Sequence, residues 1–429
     1  MALPSVLLLV PFLAQGDGAG AAGAATHDRV DLLAQEGHFL AAIVELERRL
    51  ERLPTHPGVI QQLATFQSFV GDEAAATRTM ARLGEPSRGS PPSAALSAAL
   101  AGCTPLPALD EIARLAADRR IVILNEAHHV PRHRAFAHAL AERLRALGFD
   151  YLACETFTAE CATLATRGHP TRATGYYTVE PLFAEFVRAA VGMGYRPIHY
   201  EIEPEAGAPT TDVTDRINRR EIAQCDHLVA RIFDRDPSAR VFIHCGWSHA
   251  TENWSRTDDD REIAWMAARL ARRSGLDPLT IDQTVHTPTD GAESAAVTFA
   301  RRRGWLTQPL LLRRAGGDAF VDGDDWAGRV DLQVLHPVAE LLDGRPGWMH
   351  GAGGRTAAEI PVELEPPHGR WMISAFRADA PAGALAVDRI VLEASEPCPV
   401  LLLPPGRYRI EAEDESGTAT GSATIDHGE

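Results

Sequence analysis

The sequence predicts an α/β protein with a mostly parallel sheet flanked by helices, an N-terminal helical cap and a C-terminal all-β sandwich. Strand-like and helix-like segments alternate in the centre, helical periodicity precedes them, and short strand-like segments follow. The chain of 429 residues exceeds the roughly 250–300 residues at which one core stops growing. We therefore expect a signal peptide over 1–26, the cap over 27–92, the α/β domain over 93–349 and the sandwich over 355–429.

The first residues favour export. An apolar run from Leu3 to Ala14 is followed by small residues that offer Ala-x-Ala-like cleavage points, which is typical of a signal peptide. We expect a periplasmic or extracellular protein, or a cytoplasmic one if this segment is not a signal peptide. Other segments fall short of the ~20 apolar residues of a membrane helix, so we expect no transmembrane segment.

The cap is predicted from apolar residues spaced about 3.6 apart, such as Phe39, Ile43, Leu46 and Leu50. The segment GHFLAAIVELERRLERLPTHP resembles one tetratricopeptide-type unit. A solenoid needs about three such repeats to be stable, so we expect a small helical layer packed on the main domain. The Pro/Ser-rich segment Glu85–Ser93 is predicted to be a linker.

Charge and cysteine content narrow the possible partners. The net charge of -16 argues against nucleic acid as a partner, because a phosphate backbone attracts basic surfaces. The six cysteines lack CxxC spacing, which indicates neither a zinc ribbon nor a dense disulfide framework. A Cys154–Cys161 pair stays open, although buried free thiols are favoured. We expect a small-molecule substrate, and the sequence does not identify protein partners.

The strongest functional signal is that ionisable residues follow each predicted central strand. The predicted strands are Arg120–Leu124, Tyr151–Cys154, Pro197–Tyr200, Val241–His244 and Leu279–Ile281. The residues that follow them include Glu126, Glu155, Glu201, His249, Asp282 and His286. Because the carboxyl ends of parallel strands share one edge of the sheet, these side chains are predicted to converge where α/β proteins bind ligands.

Four motifs in this region, NEAHH, GFDYLACE, RREIA and VFIHCGWSHA, give a family resemblance. From about Leu115 to Leu279 the chain resembles the superfamily of erythromycin esterases, ChaN-like haem-binding lipoproteins and Tiki-type peptidases. The esterase motif implies a Glu126–His129 pair, whereas the ChaN-like motif matches Glu126, His128 and His133. The resemblance also assigns site roles to Glu155, Arg220 and His249. Asn125 stands where these families usually have Gly.

The leading hypothesis is hydrolysis of an ester or related acyl bond by activated water. An imidazole can accept a proton from water near neutral pH when a carboxylate such as Glu126 or Glu155 orients it. Arg220 could bind a substrate carboxylate or stabilise an oxyanion. The sequence contains no G-x-S-x-G nucleophile elbow, so we expect no serine nucleophile and, in this hypothesis, no cofactor.

Two alternatives use the same residues. A divalent metal could be held by imidazole and carboxylate ligands from Glu126, His129, Glu155, Glu201 and His249, as the resemblance to Tiki-type peptidases implies. Haem or another ligand could bind without turnover through His128 or His133. The non-functional alternatives are a helix N-cap for Glu126, a solvated helix face for His133 beside Arg132 and Arg134, and a solvated acidic loop for Glu201.

The C-terminal part is predicted to be an accessory sandwich to which we assign no chemistry. Pro and Gly turns separate its short strand-like segments. The predicted strands are Ile360–Leu364, Trp371–Phe376, Ile390–Glu393, Val400–Leu403, Tyr408–Ala412 and Thr418–Ile425.

Overall fold

The computed structural model describes residues 28–84, 93–202, 212–257, 259–289, 293–322, 326 and 328–428. The predicted signal peptide and most of the predicted linker lie outside these ranges. Within them the chain has the predicted α/β architecture, with a parallel sheet, flanking helices and antiparallel strands toward the C-terminus.

The N-terminal region is helical, as its periodicity predicted. Its helices are α1 (Arg29–Glu36), α2 (Phe39–Arg52), α3 (Pro57–Phe69) and α4 (Glu73–Met80). The Asp28 side chain accepts a hydrogen bond from Val30 N and so caps α1. Phe39, Phe66 and Phe69 are buried and pack together with ring centroids 5.4–5.8 Å apart, which joins α2 to α3.

The central region alternates strands and helices. Its helices are α5 (Ala94–Ala101), α6 (Ala108–Ala116), α7 (Arg132–Ala146), α8 (Leu164–Arg167), α9 (Pro181–Gly192), α10 (Val213–Leu228), α11 (Met266–Ser274) and α12 (Ala295–Arg302). Its strands are β1 (Thr104–Pro107), β2 (Ile121–Glu126), β3 (Tyr151–Cys154), β4 (Arg196–Ile198), β5 (Val241–Gly246), β6 (Trp254–Arg256), β7 (Glu262–Ala264), β8 (Leu279–Asp282), β9 (Leu310–Arg313) and β10 (Leu332–Gln333).

Six of these strands form the central sheet in the order β10-β8-β2-β5-β3-β4, with every neighbouring pair parallel. All residues of β2, β3, β5 and β8 are buried, because helices cover both faces of the sheet. The carboxyl ends of β2, β3 and β5 therefore lie side by side at one edge. Strand β4 ends at Ile198, two residues before the predicted end.

The C-terminal region is antiparallel. Its strands are β11 (Leu341–Leu342), β12 (Arg345–Pro346), β13 (Thr356–Ala358), β14 (Arg370–Arg377), β15 (Asp388–Glu393), β16 (Leu401–Leu403), β17 (Gly406–Asp414) and β18 (Ala419–His427). A four-stranded sheet has the order β15-β14-β17-β18, and β13 pairs with β16. Residues of both sheets share one buried core, and we call 356–427 the C-terminal β unit.

One predicted strand in this unit is wrong. The segment Ile360–Leu364 contains Pro361 and forms a 3-10 turn over Val362–Leu364, and the strand lies earlier, at β13. Proline at the centre of a segment removes a backbone donor that a paired strand needs. Ile360 and Leu364 are nevertheless buried in the shared core. Their hydrophobic side chains therefore indicated burial and not pairing in a strand.

Two further findings bear on the sequence expectations. All six cysteines are free, and only Cys398 is exposed, so Cys154 and Cys161 are separate buried thiols. Among the residues that the structure describes, no helix combines the length and the apolar character needed to cross a membrane.

Candidate functional site

The carboxyl edge of the central sheet gathers buried acidic, basic and imidazole side chains. Glu126 ends β2, Glu155 follows β3, Glu201 follows β4, and His249 lies in the turn after β5. Helix α10 adds Arg220 and Glu221. The convergence expected from the strand ends is therefore present for the four adjacent strands β2, β5, β3 and β4.

Glu126 is hydrogen-bonded to His128 and to a buried arginine. Its Oε1 atom lies 2.8 Å from His128 Nδ1, and both oxygens accept hydrogen bonds from Arg134, at 2.9 Å from Nε and 3.0 Å from Nη2. Burial would raise the pKa of Glu126, but the positive charge of Arg134 and the hydrogen bond with His128 hold that pKa well below its usual value. An ionised Glu126 must accept from Nδ1, so a neutral His128 carries its proton there and leaves Nε2 as an acceptor.

Tyr177 and Gly246 fix the ring of His128 in place. The Tyr177 ring stacks on it with centroids 4.0 Å apart and planes 14° from parallel. On the other side, a Cβ atom added to Gly246 would lie 2.6 Å from His128 Nε2 and 3.2 Å from Glu155 Oε2. Glycine at the end of β5 therefore leaves space that the His128 ring and the Glu155 carboxylate occupy next to its backbone.

Arg220 holds two of the carboxylates together. Its Nε atom donates to Glu201 Oε1 at 3.0 Å, and its Nη2 atom donates to Glu155 Oε1 at 2.5 Å and to Glu201 Oε2. Glu155 Oε2 also accepts from Gly246 N at 2.5 Å. Burial would raise the pKa of Glu155, but His249 and Arg220 lower it well below its usual value. Gln224 adds a hydrogen bond to Glu201 at 3.0 Å.

His249 lies between two carboxylates. Its Nδ1 atom is 2.9 Å from Glu221 Oε2, which also accepts from Met266 N at 2.8 Å, and its Nε2 atom is 3.4 Å from Glu155 Oε1. Burial would lower the pKa of His249, but Glu221 and Glu155 outweigh it and raise the pKa to about 10. The two carboxylates therefore favour the imidazolium form. Arg220 Nη1 lies 3.2 Å from Nε2, where the guanidinium charge opposes protonation, and the two carboxylates outweigh it.

The structure does not pair His129 with Glu126. Its ring lies parallel to that of Trp247, with centroids 6.0 Å apart, and the hydrogen bond to Glu126 belongs to the preceding residue, His128. Burial and the neighbouring positive charge of Arg134 lower the pKa of His129 to about 3. His129 is therefore a neutral, buried ring beside the His128–Glu126 pair.

His133 is engaged in local structure. Its Nδ1 atom accepts from Ala127 N at 2.9 Å, its Nε2 atom lies 2.9 Å from Thr287 Oγ1, and the side chain is fully buried. The expectation of a solvated helix face here is wrong, because Arg132 and Arg134 are buried as well. The contacts of His133 shape the turn between β2 and α7.

Asn125, in the position of the family glycine, ties β2 to its neighbours. Its side-chain nitrogen donates to Asp282 Oδ1 at 2.8 Å and to Trp247 O at 3.0 Å, and its side-chain oxygen accepts from Gln283 N at 2.9 Å. Trp247 has a φ of 39°, which is uncommon for a residue with a Cβ. Asp282 thereby belongs to this structural network, and His286 Nδ1 contacts Ser294 Oγ at 2.7 Å, apart from the carboxylate cluster.

The residues present do not fit the predicted metal site. Among the described residues, no group of three or more histidine, cysteine or acidic side chains is arranged to hold a metal ion. Arg220 contacts Glu155 and Glu201, so a guanidinium already supplies the positive charge that a metal would bring to these carboxylates.

The histidines assigned to haem are also engaged. Both ring nitrogens of His133 have partners, and His128 gives one nitrogen to Glu126. His133 therefore has no nitrogen free for an iron, and His128 has only Nε2, beside a face that Tyr177 covers. In this conformation the donor set does not favour an axial haem ligand.

Three residues of the site lay outside the candidate residues chosen from the sequence: Arg134, Glu221 and Gln224. Glu221 and Gln224 follow Arg220 by one residue and one helical turn, so the helical period would place Gln224 beside Arg220. Arg134 lies eight residues after Glu126, and no local pattern indicates that its side chain turns back to the strand end. Tyr177 lies in a short irregular segment, so no helical or strand periodicity predicts where its side chain points.

Comparison with known proteins identifies no family. No family model matches the chain, and no curated protein matches it significantly. A solved structure described as "Bacterial protein toxins" is similar over 53% of this chain, with 14% identity and a TM-score of 0.32. RRSP, a MARTX toxin effector domain from Vibrio vulnificus, is similar over 63% of it, with 14% identity and a TM-score of 0.31. The chain spans 45% and 47% of the lengths of these two structures.

Proposed function

We propose that the protein hydrolyses an ester or related acyl bond, and that His128 is the base that activates water. The observation that carries the proposal is the hydrogen bond between His128 Nδ1 and Glu126, whose carboxylate Arg134 keeps ionised. This bond orients the ring and stabilises the imidazolium that forms when Nε2 takes a proton. The proposal moves the role of the base from His129, which the esterase motif favoured, to His128.

The second histidine supplies positive charge. Glu221 and Glu155 raise the pKa of His249 and face its two ring nitrogens, so its positive charge can stabilise the negative charge that develops on an acyl oxygen without a direct hydrogen bond. The donors of Arg220 are directed to Glu155 and Glu201. We therefore assign Arg220 to organising the carboxylates, and not to binding the substrate directly.

A covalent thiol mechanism has little support. Cys245 lies in β5 beside the site, but burial and the nearby carboxylates raise its pKa well above the usual value, which disfavours the nucleophilic thiolate. Cys154 is buried with its pKa raised for the same reason. Direct attack by water on the acyl carbon is therefore the proposed step, with the proton passing to His128 Nε2.

The test is a panel of carboxylic esters, thioesters, lactones and short peptides, assayed with the wild type and Glu126→Gln. The variant keeps the shape of the side chain but removes the charge that stabilises the protonated His128. We expect hydrolysis of at least one acyl class and a loss of about 100-fold or more in kcat for the variant. Glu142→Gln, a change on the exposed side of α7, is the control and should keep full activity. Equal activity of Glu126→Gln and wild type would reject the proposal.

A further inference from the structure

A buried arginine connects the candidate base to a second carboxylate. Arg134 is fully buried. It donates to Glu126 through Nε and Nη2 and to His128 O at 2.7 Å, while its Nη1 atom lies 3.3 Å from Glu180 Oε2. The guanidinium also lies over the rings of Tyr177 and Phe183, 5.7 and 5.2 Å from their centroids. One side chain thus contacts the carboxylate, the backbone of the base and the ring that stacks on the base.

Glu180 fixes the far side of that arginine. Its two oxygens accept hydrogen bonds from Leu182 N and Phe183 N, each at 2.9 Å, and so cap α9. The carboxyl is buried and takes no part in the proposed reaction. Its position depends on the segment 177–180, which also carries Tyr177.

The C-terminal β unit holds that segment. Arg389 of β15 is buried, donates to Ser374 Oγ at 3.1 Å within its own sheet and to Phe69 O of α3 at 2.9 Å, and reaches Val179 O at 3.5 Å. Glu180 and Arg389 line one cavity together with Glu73 of α4 and Arg345 of β12. The helical region, the α/β domain and the C-terminal β unit therefore meet next to Glu180.

We propose that Arg134 is the positioning residue of the His128–Glu126 pair and that the C-terminal β unit keeps Arg134 in place through Arg389 and the segment 177–180. A catalytic effect of Arg134 depends on the proposed function, whereas the geometry of His128 can be measured without a substrate.

The planar fork of arginine is what the position requires. It makes two parallel hydrogen bonds to Glu126 while a further nitrogen faces Glu180, and a lysine ammonium cannot match that geometry. With Arg134→Lys we expect the carboxylate to rotate and the His128 Nδ1 contact to weaken. Removing the charge of Glu180 releases the guanidinium from one side only, so Glu180→Gln should have a smaller effect in the same direction.

The experiment records the ¹⁵N NMR signals of His128, assigned with His128→Asn, in full-length wild type, Arg134→Lys, Glu180→Gln and Arg389→Gln. We expect a wild-type ring with its proton on Nδ1. The fraction of this tautomer should change most in Arg134→Lys and less in Glu180→Gln and Arg389→Gln. Arg188→Lys, which alters a partly exposed pair with Glu185 on α9, is the control and should leave His128 unchanged. Circular dichroism identifies any variant that fails to fold.

The outcomes separate this inference from the proposed function. If Arg134→Lys folds and His128 keeps the wild-type tautomer, Arg134 has no positioning role, and the same result in Glu180→Gln alone would remove only the part assigned to Glu180. If His128 changes in those variants but not in a folded Arg389→Gln, the part of the inference that concerns the C-terminal β unit is wrong. Where an acyl substrate has been found, kcat of Arg134→Lys should fall about 10- to 100-fold, the range seen when outer partners of functional histidines are removed, with KM nearly unchanged. NMR changes without any hydrolysis by the wild type would overturn the function and retain the positioning role.

Discussion

At the scale of single residues, the site separates three histidines by the charges placed around them. His249 lies between Glu221 and Glu155, which raise its pKa to about 10, whereas burial beside other positive groups lowers the pKa of His129 to about 3. His128 has one carboxylate partner, and that carboxylate is shared with Arg134. Environment, more than residue type, therefore decides which ring can supply charge and which can take a proton.

The protonated state of His249 gives the first prediction. Replacing Glu221 by Gln removes the first of the two charges that raise its pKa, so the NMR titration midpoint of His249 should fall by at least one unit, while Glu262→Gln serves as a control. Because folding raises the pKa of His249, protonation of this ring stabilises the folded protein. This contribution is complete below the pKa of about 6.5 that the ring has in the unfolded chain. That contribution is lost as pH rises from 6.5 through about 10. A midpoint that stays unchanged in Glu221→Gln would contradict this electrostatic account.

The space beside Gly246 gives the second prediction. Alanine at this position would place a Cβ 2.5 Å from His128 Cε1, so Gly246→Ala should displace the ring and reduce turnover at least tenfold, of the order expected when a base leaves its productive geometry. Gly192→Ala, at a glycine with no atom within 4 Å of the added Cβ, should keep both activity and stability. Thermal unfolding and kcat of the two variants check this, and wild-type kcat in Gly246→Ala would count against a role for His128.

The sequence revealed part of this site for a definite reason. Glu126 ends a buried strand, and Glu155 and His249 lie just after buried strands, so the position of each could be predicted from its strand. Distinguishing His128 from His129 requires the backbone path after β2, because one residue changes the direction of the side chain. Arg134 belongs to the site only through the tertiary turn of α7 toward β2, which no local pattern encodes.

At the scale of elements, the first turn of α7 is unusual because it buries charged and imidazole groups. His133 is fully buried near His336, and burial lowers the pKa of both well below the usual value. On β5, His244 lies edge-on to Phe183 and Phe186, and burial lowers its pKa to about 4. His244 lies 3.6 Å from Glu126, next to the candidate site.

Buried neutral histidines give the third prediction, which concerns acid stability. Because folding lowers the pKa of His244, the unfolded chain binds a proton at this ring below about pH 6.5 while the folded chain does not. The free energy of unfolding therefore falls as the pH drops from 6.5 toward 4. His244→Phe removes this linkage at one position. The loss of stability between pH 7 and pH 5 in urea unfolding should then shrink by about 2 kcal/mol, while His368→Phe, at an exposed site, should change it little. An equal pH dependence in wild type and His244→Phe would contradict the burial argument.

The elements that the sequence missed are those with weak local signals. Central strands buried on both faces carry continuous apolar runs, and β2, β3, β5 and β8 were predicted near their observed positions. Strands β1 and β9 pair over the segment Thr104–Pro107, which contains two prolines, and such a segment reads as a turn. In the C-terminal β unit, the hydrophobic residues around Pro361 were mistaken for a strand because buried residues are apolar whether or not they pair in a sheet.

At the scale of the whole molecule, a buried ion pair joins β12 to the C-terminal β unit. Arg345 of β12 donates from Nη1 and Nη2 to Asp388 of β15, each at 2.9 Å, and Asp388 also accepts from Leu402 N. Both side chains of this pair are buried. The order of the regions along the chain was readable from the sequence, but these contacts between distant segments were not.

This pair gives the fourth prediction. Asp388→Asn leaves the Arg345 charge buried without its counter-charge and should lower the free energy of unfolding by about 3–5 kcal/mol. Asp426→Asn removes the partner of Arg407 in an exposed pair on β17 and β18, and such a change usually costs less than about 0.5 kcal/mol. Urea unfolding of both variants measures the difference. A similar decrease in the free energy of unfolding for the two variants would show that the buried pair does not hold β12 to the C-terminal β unit.

The central claim is that the His128–Glu126 pair, and not His129, activates water. The most direct measurement is kcat/KM for hydrolysis of the best acyl substrate by His128→Asn and His129→Asn side by side, with both variants shown to be folded. Our account predicts a loss of about 100-fold or more for His128→Asn and a loss of less than about tenfold for His129→Asn, whose ring has no carboxylate partner to support proton transfer. The reverse order would return the role of the base to His129 and contradict the account.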